Sequence, residues 1–293
     1  MSPAREFRKR SEPGPDILRA VGAELEQPVG PTMETFPFSA MEDGLPLDAS
    51  SPLAEAATVT PLALASCKIR SWDFDPETMI SFAGSQSSRG AEELRALRSQ
   101  LYRRREKQPM KSLLVTSALP KEGRSFVAVN LANVLALQPH CRVLLIDADL
   151  RGPRLHSVLG TSQTPGLSEY LLQEVDDFSI VQRGVSEELF FIPAGRTVPG
   201  PTELLGTGRL NTLISRCGPS FDWVIIDSPA TLPVSDASLI ANSCDGVLLV
   251  VRSHSTAFDI VRQARERFRA ESLVGVVLNG TEAESSPHER YQL

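Results

Sequence analysis

A phosphate-binding loop is the clearest chemical motif in the sequence. Ala118-Leu-Pro-Lys-Glu-Gly-Arg-Ser125 follows a short apolar segment, precedes a helical pattern, and nearly matches the Walker A consensus G-x-x-x-x-G-K-[ST]. Such a loop wraps backbone N–H groups around a phosphate at a helix N-terminus. Gly123 permits the close approach, and Ser125 supplies a hydroxyl for Mg²⁺. We therefore expect the nucleotide to be bound by Ala118, Lys121, Glu122, Gly123, Arg124, Ser125 and Phe126.

The loop departs from the consensus at Arg124, where lysine is expected. A lysine ammonium is a compact charge that can sit between the β- and γ-phosphates. A guanidinium is larger and planar, so the two side chains are not interchangeable. Either Arg124 takes the place of the lysine in catalysis, or the loop is degenerate and no longer binds nucleotide well.

Carboxylates follow two further apolar segments. Val143-Leu-Leu-Ile-Asp147-Ala-Asp149-Leu-Arg151 places two aspartates after one predicted strand, and Val224-Ile-Ile-Asp227 places a third after another. Asp147 and Asp149 are two residues apart, so an extended chain points them the same way. In open α/β sheets, ligands bind beyond the carboxyl ends of the strands. The loop and the three aspartates would therefore share one crevice, and this set suits Mg²⁺-nucleotide chemistry.

Strand and helix patterns alternate around these motifs. The predicted strands are 112–116, 143–146, 223–226, 246–251 and 273–278, and the predicted helices are 91–105, 124–137, 203–216 and 256–269. The strands are continuous apolar runs, which is typical of strands covered on both faces. The sequence therefore predicts an α/β fold of the P-loop NTPase type, with a doubly wound, mostly parallel sheet.

Composition divides the chain into three parts. Residues 1–78 are rich in Pro, Glu, Ser and Ala and have no sustained apolar period, which predicts a disordered, low-complexity arm. Within this arm, residues 16–25 could form a short helix. Residues 79–280 form the predicted P-loop domain, and residues 281–293 a flexible tail.

Charge and cysteine content narrow the function classes. The formal net charge of -6 argues against a nucleic-acid partner, and the four scattered cysteines argue against a structural zinc site. No apolar run approaches the ~20 residues that span a bilayer, and we find no secretory signal peptide. We expect a cytoplasmic protein that reaches the membrane only through a partner.

The motifs resemble those of the bacterial tyrosine kinases of capsule and exopolysaccharide synthesis, within the wider partition-ATPase superfamily. Leu144–Arg151 is similar to the family's hhhDxDxR box. Val224–Pro229 is similar to its hhhD[ST]PP box, except that Ala230 stands where the family prefers proline. Pro193-Ala-Gly195 and Pro201-Thr-Glu-Leu-Leu205 also resemble family segments.

The resemblance implies an ATP-dependent protein-tyrosine autokinase with ATP and Mg²⁺ as cofactors. Ser125, Asp147 and Asp227 would hold Mg²⁺. Asp147, Asp149 and Arg124 would be catalytic, and the two aspartates would help to deprotonate a tyrosine hydroxyl.

The resemblance also implies partners. Glu92, Arg95 and Arg98 are spaced as in the family's E-x-x-R-x-x-R oligomerisation helix, which predicts a homo-oligomer. Family members need a membrane activator, often a polysaccharide copolymerase. Tyr291, in the polar tail, is the expected phosphoacceptor, although the family's cluster of tail tyrosines is absent.

Two other functions stay open. A non-catalytic relative, acting as an assembly partner in polysaccharide export, would explain Arg124, Ala230 and the tyrosine-poor tail. A partition-type ATPase shares the superfamily, but those enzymes usually carry an early loop lysine where Leu119 stands, and Arg151 also points away from them.

Overall fold

The computed structural model of this protein describes residues 17–21, 67–75, 78–79, 89–184 and 188–281. The disorder predicted for the rest of residues 1–78, and the tail predicted after residue 281, lie outside the described residues. Among the helices that are described, none is both long and apolar enough to cross a membrane.

The described strands form one sheet of nine. They are β1 (Ile17–Val21), β2 (Lys68–Ile69), β3 (Ser112–Ser117), β4 (Val143–Asp147), β5 (Gln182–Arg183), β6 (Leu189–Ile192), β7 (Trp223–Asp227), β8 (Gly246–Arg252) and β9 (Leu273–Thr281). Their order is β1-β9-β8-β3-β7-β4-β6-β5-β2. The six strands from β9 to β6 in this order pair in parallel, whereas β1 and β5 pair antiparallel with β9 and β6. The predicted, mostly parallel sheet is therefore confirmed.

Helices cover both faces of this sheet. They are α1 (Arg89–Lys107), α2 (Arg124–Ala136), α3 (Leu155–Val158), α4 (Leu167–Leu171), α5 (Asp177–Ile180), α6 (Pro201–Leu205), α7 (Arg209–Cys217), α8 (Asp236–Ala241) and α9 (Phe258–Arg265). Alternate strand residues point to opposite faces. Leu113 and Val115 of β3 pack with α1 and α2, whereas Leu114 packs in the cluster that contains α4, α6 and α7. The doubly wound arrangement explains why these strands are apolar throughout.

Two predictions of secondary structure were wrong. The single helix predicted over residues 203–216 is broken into α6 and α7, because Gly208 adopts a φ of 76° as the residue that precedes α7. The helix considered over residues 16–25 is strand β1, which pairs with residues 276–281 of β9. An edge strand offers a row of backbone hydrogen-bonding groups, and pairing with them outweighs a weak local helical preference.

Residues at and shortly before the predicted start of the domain also pack on the core. Trp72 is buried, and its ring meets the rings of Phe191 and Phe74 edge to face, with centroids 6.4 and 5.9 Å away. Met79 is fully buried in the same cluster, on the face of α1 and α2. Buried aromatic pairs of this geometry contribute beyond their burial alone. The segment around Trp72 therefore contributes to the stability of the α/β core.

Candidate nucleotide-binding and catalytic site

The phosphate loop turns into α2 at Gly123, which has a φ of 93°. A side chain at this position would overlap the side-chain amide of Asn279, at the end of β9. That amide donates a hydrogen bond to the Glu122 carbonyl at 2.9 Å. Glycine meets both requirements, because it tolerates a positive φ and has no Cβ. Since α2 begins without a side-chain cap, its first N–H groups can bind a phosphate.

The Glu122 side chain fixes the conformation of the phosphate loop. It is buried, and its carboxylate accepts hydrogen bonds from the Leu119 N–H at 2.6 Å and the Arg252 N–H at 3.2 Å. The Thr256 hydroxyl donates to the same carboxylate. The loop is thereby tied to the end of β8 and to the segment that follows it. Lys121, by contrast, is exposed and has a φ of 69°, so the chain turns sharply there.

The remaining loop residues differ in their surroundings. Ala118 is fully buried at the end of β3, and Phe126 is half-buried against the core on the face of α1 and α2. The Phe126 side chain therefore contributes to packing, and only its backbone N–H, in the first turn of α2, is placed to bind a phosphate.

Arg124 joins the loop to both aspartate boxes. Its Nη2 forms an ion pair with Asp149, and its Nε donates to the Ser228 carbonyl. Nε also lies 4.0 Å from Asp227 Oδ1. The guanidinium is largely buried and lies across the carboxyl ends of β4 and β7. The loop, the first aspartate box and the second thus meet at one end of the sheet.

Asp147 is enclosed by backbone amides. One carboxylate oxygen accepts the N–H of Asp149 at 3.2 Å, and the other accepts those of Arg154 and Leu155, at 3.2 and 3.1 Å. Burial, followed by the nearby charge of Asp227, raises the pKa of Asp147 well above its usual value. Asp147 thus fixes the start of α3 at the edge of the site.

Asp149 has one oxygen fixed and one directed at the loop. Its Oδ1 accepts the N–H groups of Arg151 and Gly152, at 3.2 and 3.0 Å, and its Oδ2 forms the ion pair with Arg124. The turn after β4 therefore presents a single carboxylate oxygen to the phosphate loop.

Asp227 is the residue that best fits a metal ion. Burial raises its pKa to about 7, although Arg124 and a hydrogen bond with the Ser125 hydroxyl lower it. Its Oδ1 is buried and accepts no hydrogen bond from any described residue. A buried carboxylate oxygen without a donor is costly unless the group is protonated or meets a cation.

The surroundings of Asp227 suit Mg²⁺ better than a metal ion whose ligands all come from the protein. The described residues contain no group of three or more His, Cys, Asp or Glu arranged to hold a metal. Mg²⁺ is usually bound by one or two carboxylates, with phosphates and waters as its other ligands. Asp227 and the Ser125 hydroxyl could provide such a partial set.

Sequence reasoning missed Asp236, the residue that anchors Arg151 of the D-x-D-x-R box. Asp236 begins α8, is fully buried, and pairs with Arg151 Nε at 2.7 Å. Its partner lies 85 residues earlier in the chain, so no local pattern indicates the pair. Asn279 and Thr256 were also missed, because they lie far from the loop in the sequence and contact it only in the folded chain.

The predicted oligomerisation residues lie on α1, but they do not share one environment. Glu92 and Arg95 form an ion pair on the helix surface. Arg98 instead donates to the Val134 carbonyl at 2.9 Å, near the end of α2. Arg98 therefore has an intramolecular role, and self-association through this helix stays a prediction.

The three tyrosines also differ. Tyr291 lies outside the described residues. The Tyr102 hydroxyl lies 3.6 Å from Cys141 Sγ, and its ring packs edge to face on Trp223. Tyr170 is buried in the core.

The sequence of this chain is similar to those of bacterial tyrosine-protein kinases. Tyrosine-protein kinase YwqD of Bacillus subtilis is 35% identical over 206 residues, which cover 70% of this chain and 86% of YwqD. This chain belongs to the bacterial tyrosine-protein kinases. No protein-family model matches it.

A solved kinase domain of the family has the same fold. The kinase domain of the Escherichia coli tyrosine kinase ETK aligns with a TM-score of 0.65 and 31% identity, over 70% of this chain and 83% of that domain. Tyrosine-protein kinase wzc of Salmonella typhimurium is 29% identical over 277 residues, which cover 94% of this chain but 38% of wzc. The chain thus spans well under half the length of wzc. Membership of this kinase family supports nucleotide binding at the loop.

Proposed function

We propose that this chain is an ATP-dependent protein-tyrosine kinase that acts in capsule or exopolysaccharide production. The observation that carries the proposal is the meeting of Arg124 with Asp149 and Asp227 beside the uncapped start of α2. Phosphoryl transfer needs mainly positioning and charge neutralisation, which cationic, carboxylate and amide groups can supply. Relatives named as tyrosine-protein kinases support the choice of acceptor.

Each site residue has a role in this reaction. The loop amides and Arg124 would bind the β- and γ-phosphates, so Arg124 would leave Asp149 as ATP binds. Ser125, Asp147 and Asp227 would hold Mg²⁺, which would neutralise part of the phosphate charge. Asp149, freed from its ion pair, would accept the proton of the tyrosine hydroxyl.

The proposal extends to partners. Self-association through Glu92, Arg95 and Arg98 of α1 would bring Tyr291 of one subunit to the site of another. A membrane protein of the polysaccharide-copolymerase type would activate the kinase, and would recruit it from the cytoplasm to the inner face of the membrane.

A second candidate function is favoured by the ion pair itself. Arg124 is paired with Asp149, and a guanidinium is a poor substitute for the loop lysine. A chain in which this pair persists would be a non-catalytic assembly partner in polysaccharide export.

Intact-mass spectrometry distinguishes the two functions. The full chain is incubated with Mg-ATP and a candidate activating segment, next to Asp149→Asn as a control. The kinase gains about 80 Da per phosphate only when Asp149 is present. No gain in mass by the wild type, in the presence of a segment that binds it, would favour the assembly partner.

A further inference from the structure

Three distant segments of the chain meet at the side chain of Arg151. Its Nε donates to Asp236 Oδ2 at 2.7 Å, and its Nη2 to Asp236 Oδ1 at 3.2 Å. Nη2 also donates to Thr202 Oγ1 at 2.7 Å, and that hydroxyl donates to Asp236 Oδ1, also at 2.7 Å. Arg151 follows β4, Thr202 lies in α6, and Asp236 begins α8. We call these three residues the Arg151 latch.

Asp236 is the most strongly held member of the Arg151 latch. It is fully buried, and both of its carboxylate oxygens accept hydrogen bonds within the latch. Burying a carboxylate is costly unless it is paired and hydrogen-bonded, and a two-pronged guanidinium is well suited to both. The guanidinium of Arg151 is therefore held in one orientation although 40% of that side chain is exposed.

The Arg151 latch reaches Asp149 through the turn that follows β4. The N–H of Arg151 donates to Asp149 Oδ1 at 3.2 Å, next to that of Gly152 at 3.0 Å. Arg151, whose side chain is held by Asp236 and Thr202, is thus one of the two residues whose backbone amides fix the Asp149 carboxylate. With Oδ1 fixed in this way, Oδ2 is directed at Arg124.

We propose that Asp236 and Thr202 are positioning residues, which hold Asp149 in its catalytic orientation through Arg151. The catalytic consequence rests on the proposed kinase function. The arginine of the D-x-D-x-R box and the threonine of the Pro201–Leu205 segment then have one shared explanation, because both build the Arg151 latch. An ion pair that served only stability would not bias the carboxylate of Asp149.

Phosphoryl-transfer kinetics of the full chain test the catalytic part. Asp236→Asn and Thr202→Val should lower kcat, the former by about 10- to 100-fold, which is the range for residues that orient a ligand from behind. The KM for ATP should change less than about threefold, because the phosphate loop is untouched. Thr202→Ser keeps the hydroxyl and should restore the rate. An unchanged kcat in Asp236→Asn, or equal loss in the serine and valine variants, overturns the proposal.

A cycle of mutations without any ligand tests the coupling itself. Urea unfolding is measured for the wild type, Asp149→Asn, Asp236→Asn and the double variant. If the two residues act independently, the double variant changes the unfolding constant by the product of the two single changes. If they are coupled, the change in the double variant is smaller than that product by about threefold or more. We expect the second result, and a simple product overturns the proposal. A wild type that transfers no phosphate refutes the kinase function alone, since this cycle still decides whether the latch acts on Asp149.

Discussion

Replacing Arg124 with lysine should tighten ATP binding. The Arg124 guanidinium makes two charge-assisted hydrogen bonds, one to Asp149 and one to the Ser228 carbonyl. To reach the β- and γ-phosphates, the side chain has to give up the bond to Asp149. Lysine carries one compact ammonium group instead of a planar guanidinium, so it cannot bind Asp149 and the Ser228 carbonyl together as firmly.

The size of the effect follows from these two bonds. A hydrogen bond to a charged group contributes ~1.5–3 kcal/mol. Losing one of the two in the free state would lower the cost of moving the side chain by about 1.5 kcal/mol, which corresponds to about tenfold in the ATP dissociation constant. The nucleotide-free variant should be less stable by a similar amount, because the carboxylate of Asp149 loses part of its pairing.

Isothermal titration calorimetry with ATP, with and without Mg²⁺, measures the change. Arg124→Gln is the matched control, because it removes the charge and should weaken binding. Asp149→Asn should also tighten Mg²⁺-free binding, since it releases Arg124 from the other side of the ion pair. If Arg124→Lys binds ATP no better than the wild type, the ion pair with Asp149 does not limit nucleotide binding.

Three further predictions concern the metal, the core and the assembly. Lowering the pH from about 8 to about 6 should weaken Mg²⁺ binding to the ATP complex about tenfold, because burial raises the pKa of Asp227 to about 7 and the metal needs the carboxylate. The same raised pKa makes the metal-free fold lose stability as the pH rises from about 4 to about 7. Asp227→Asn should reduce both trends in calorimetry and urea titrations without abolishing them, because burial also raises the pKa of Asp147. Trp72→Ala should cost ~3–5 kcal/mol in urea unfolding, and an unchanged midpoint would mean that the Trp72 segment is not part of the core. Charge reversal at Arg95 and Arg98 should convert an oligomer to a monomer in light scattering, with Arg98→Ala as a control for its bond to Val134; a monomeric wild type contradicts the idea.

The central strands could be predicted because their signal is local. Strands β4 and β7 are uninterrupted apolar runs that end directly in carboxylates of the site, and β3 has an apolar centre at residues 113–115. Strand β6 (Leu189–Ile192) was missed, although it is an apolar run as long as the strand predicted over residues 143–146. The break at Gly208 was missed because a single glycine inside a helical pattern is often tolerated.

The chemistry of the site was predictable only in part. Loop and aspartate motifs fix which residues approach the ligand, since strand ends gather at one edge of a parallel sheet. The partners of those residues depend on contacts across the fold. Asp236 meets Arg151 across 85 residues, and Asn279 meets the loop across 157. A pair of this kind leaves no periodic or compositional signal in a single sequence.

A mixing experiment tests the kinase assignment most directly. Asp149→Asn retains Tyr291 but lacks the proposed base, whereas Tyr291→Phe retains the site but lacks the proposed acceptor. The two full-length variants are incubated with Mg-ATP and an activating segment, separately and together, and then analysed by peptide mass spectrometry. We predict phosphate on Tyr291 of the Asp149→Asn chain in the mixture alone. Absence of phosphotyrosine from the mixture, when both variants bind ATP and the segment, would contradict the account.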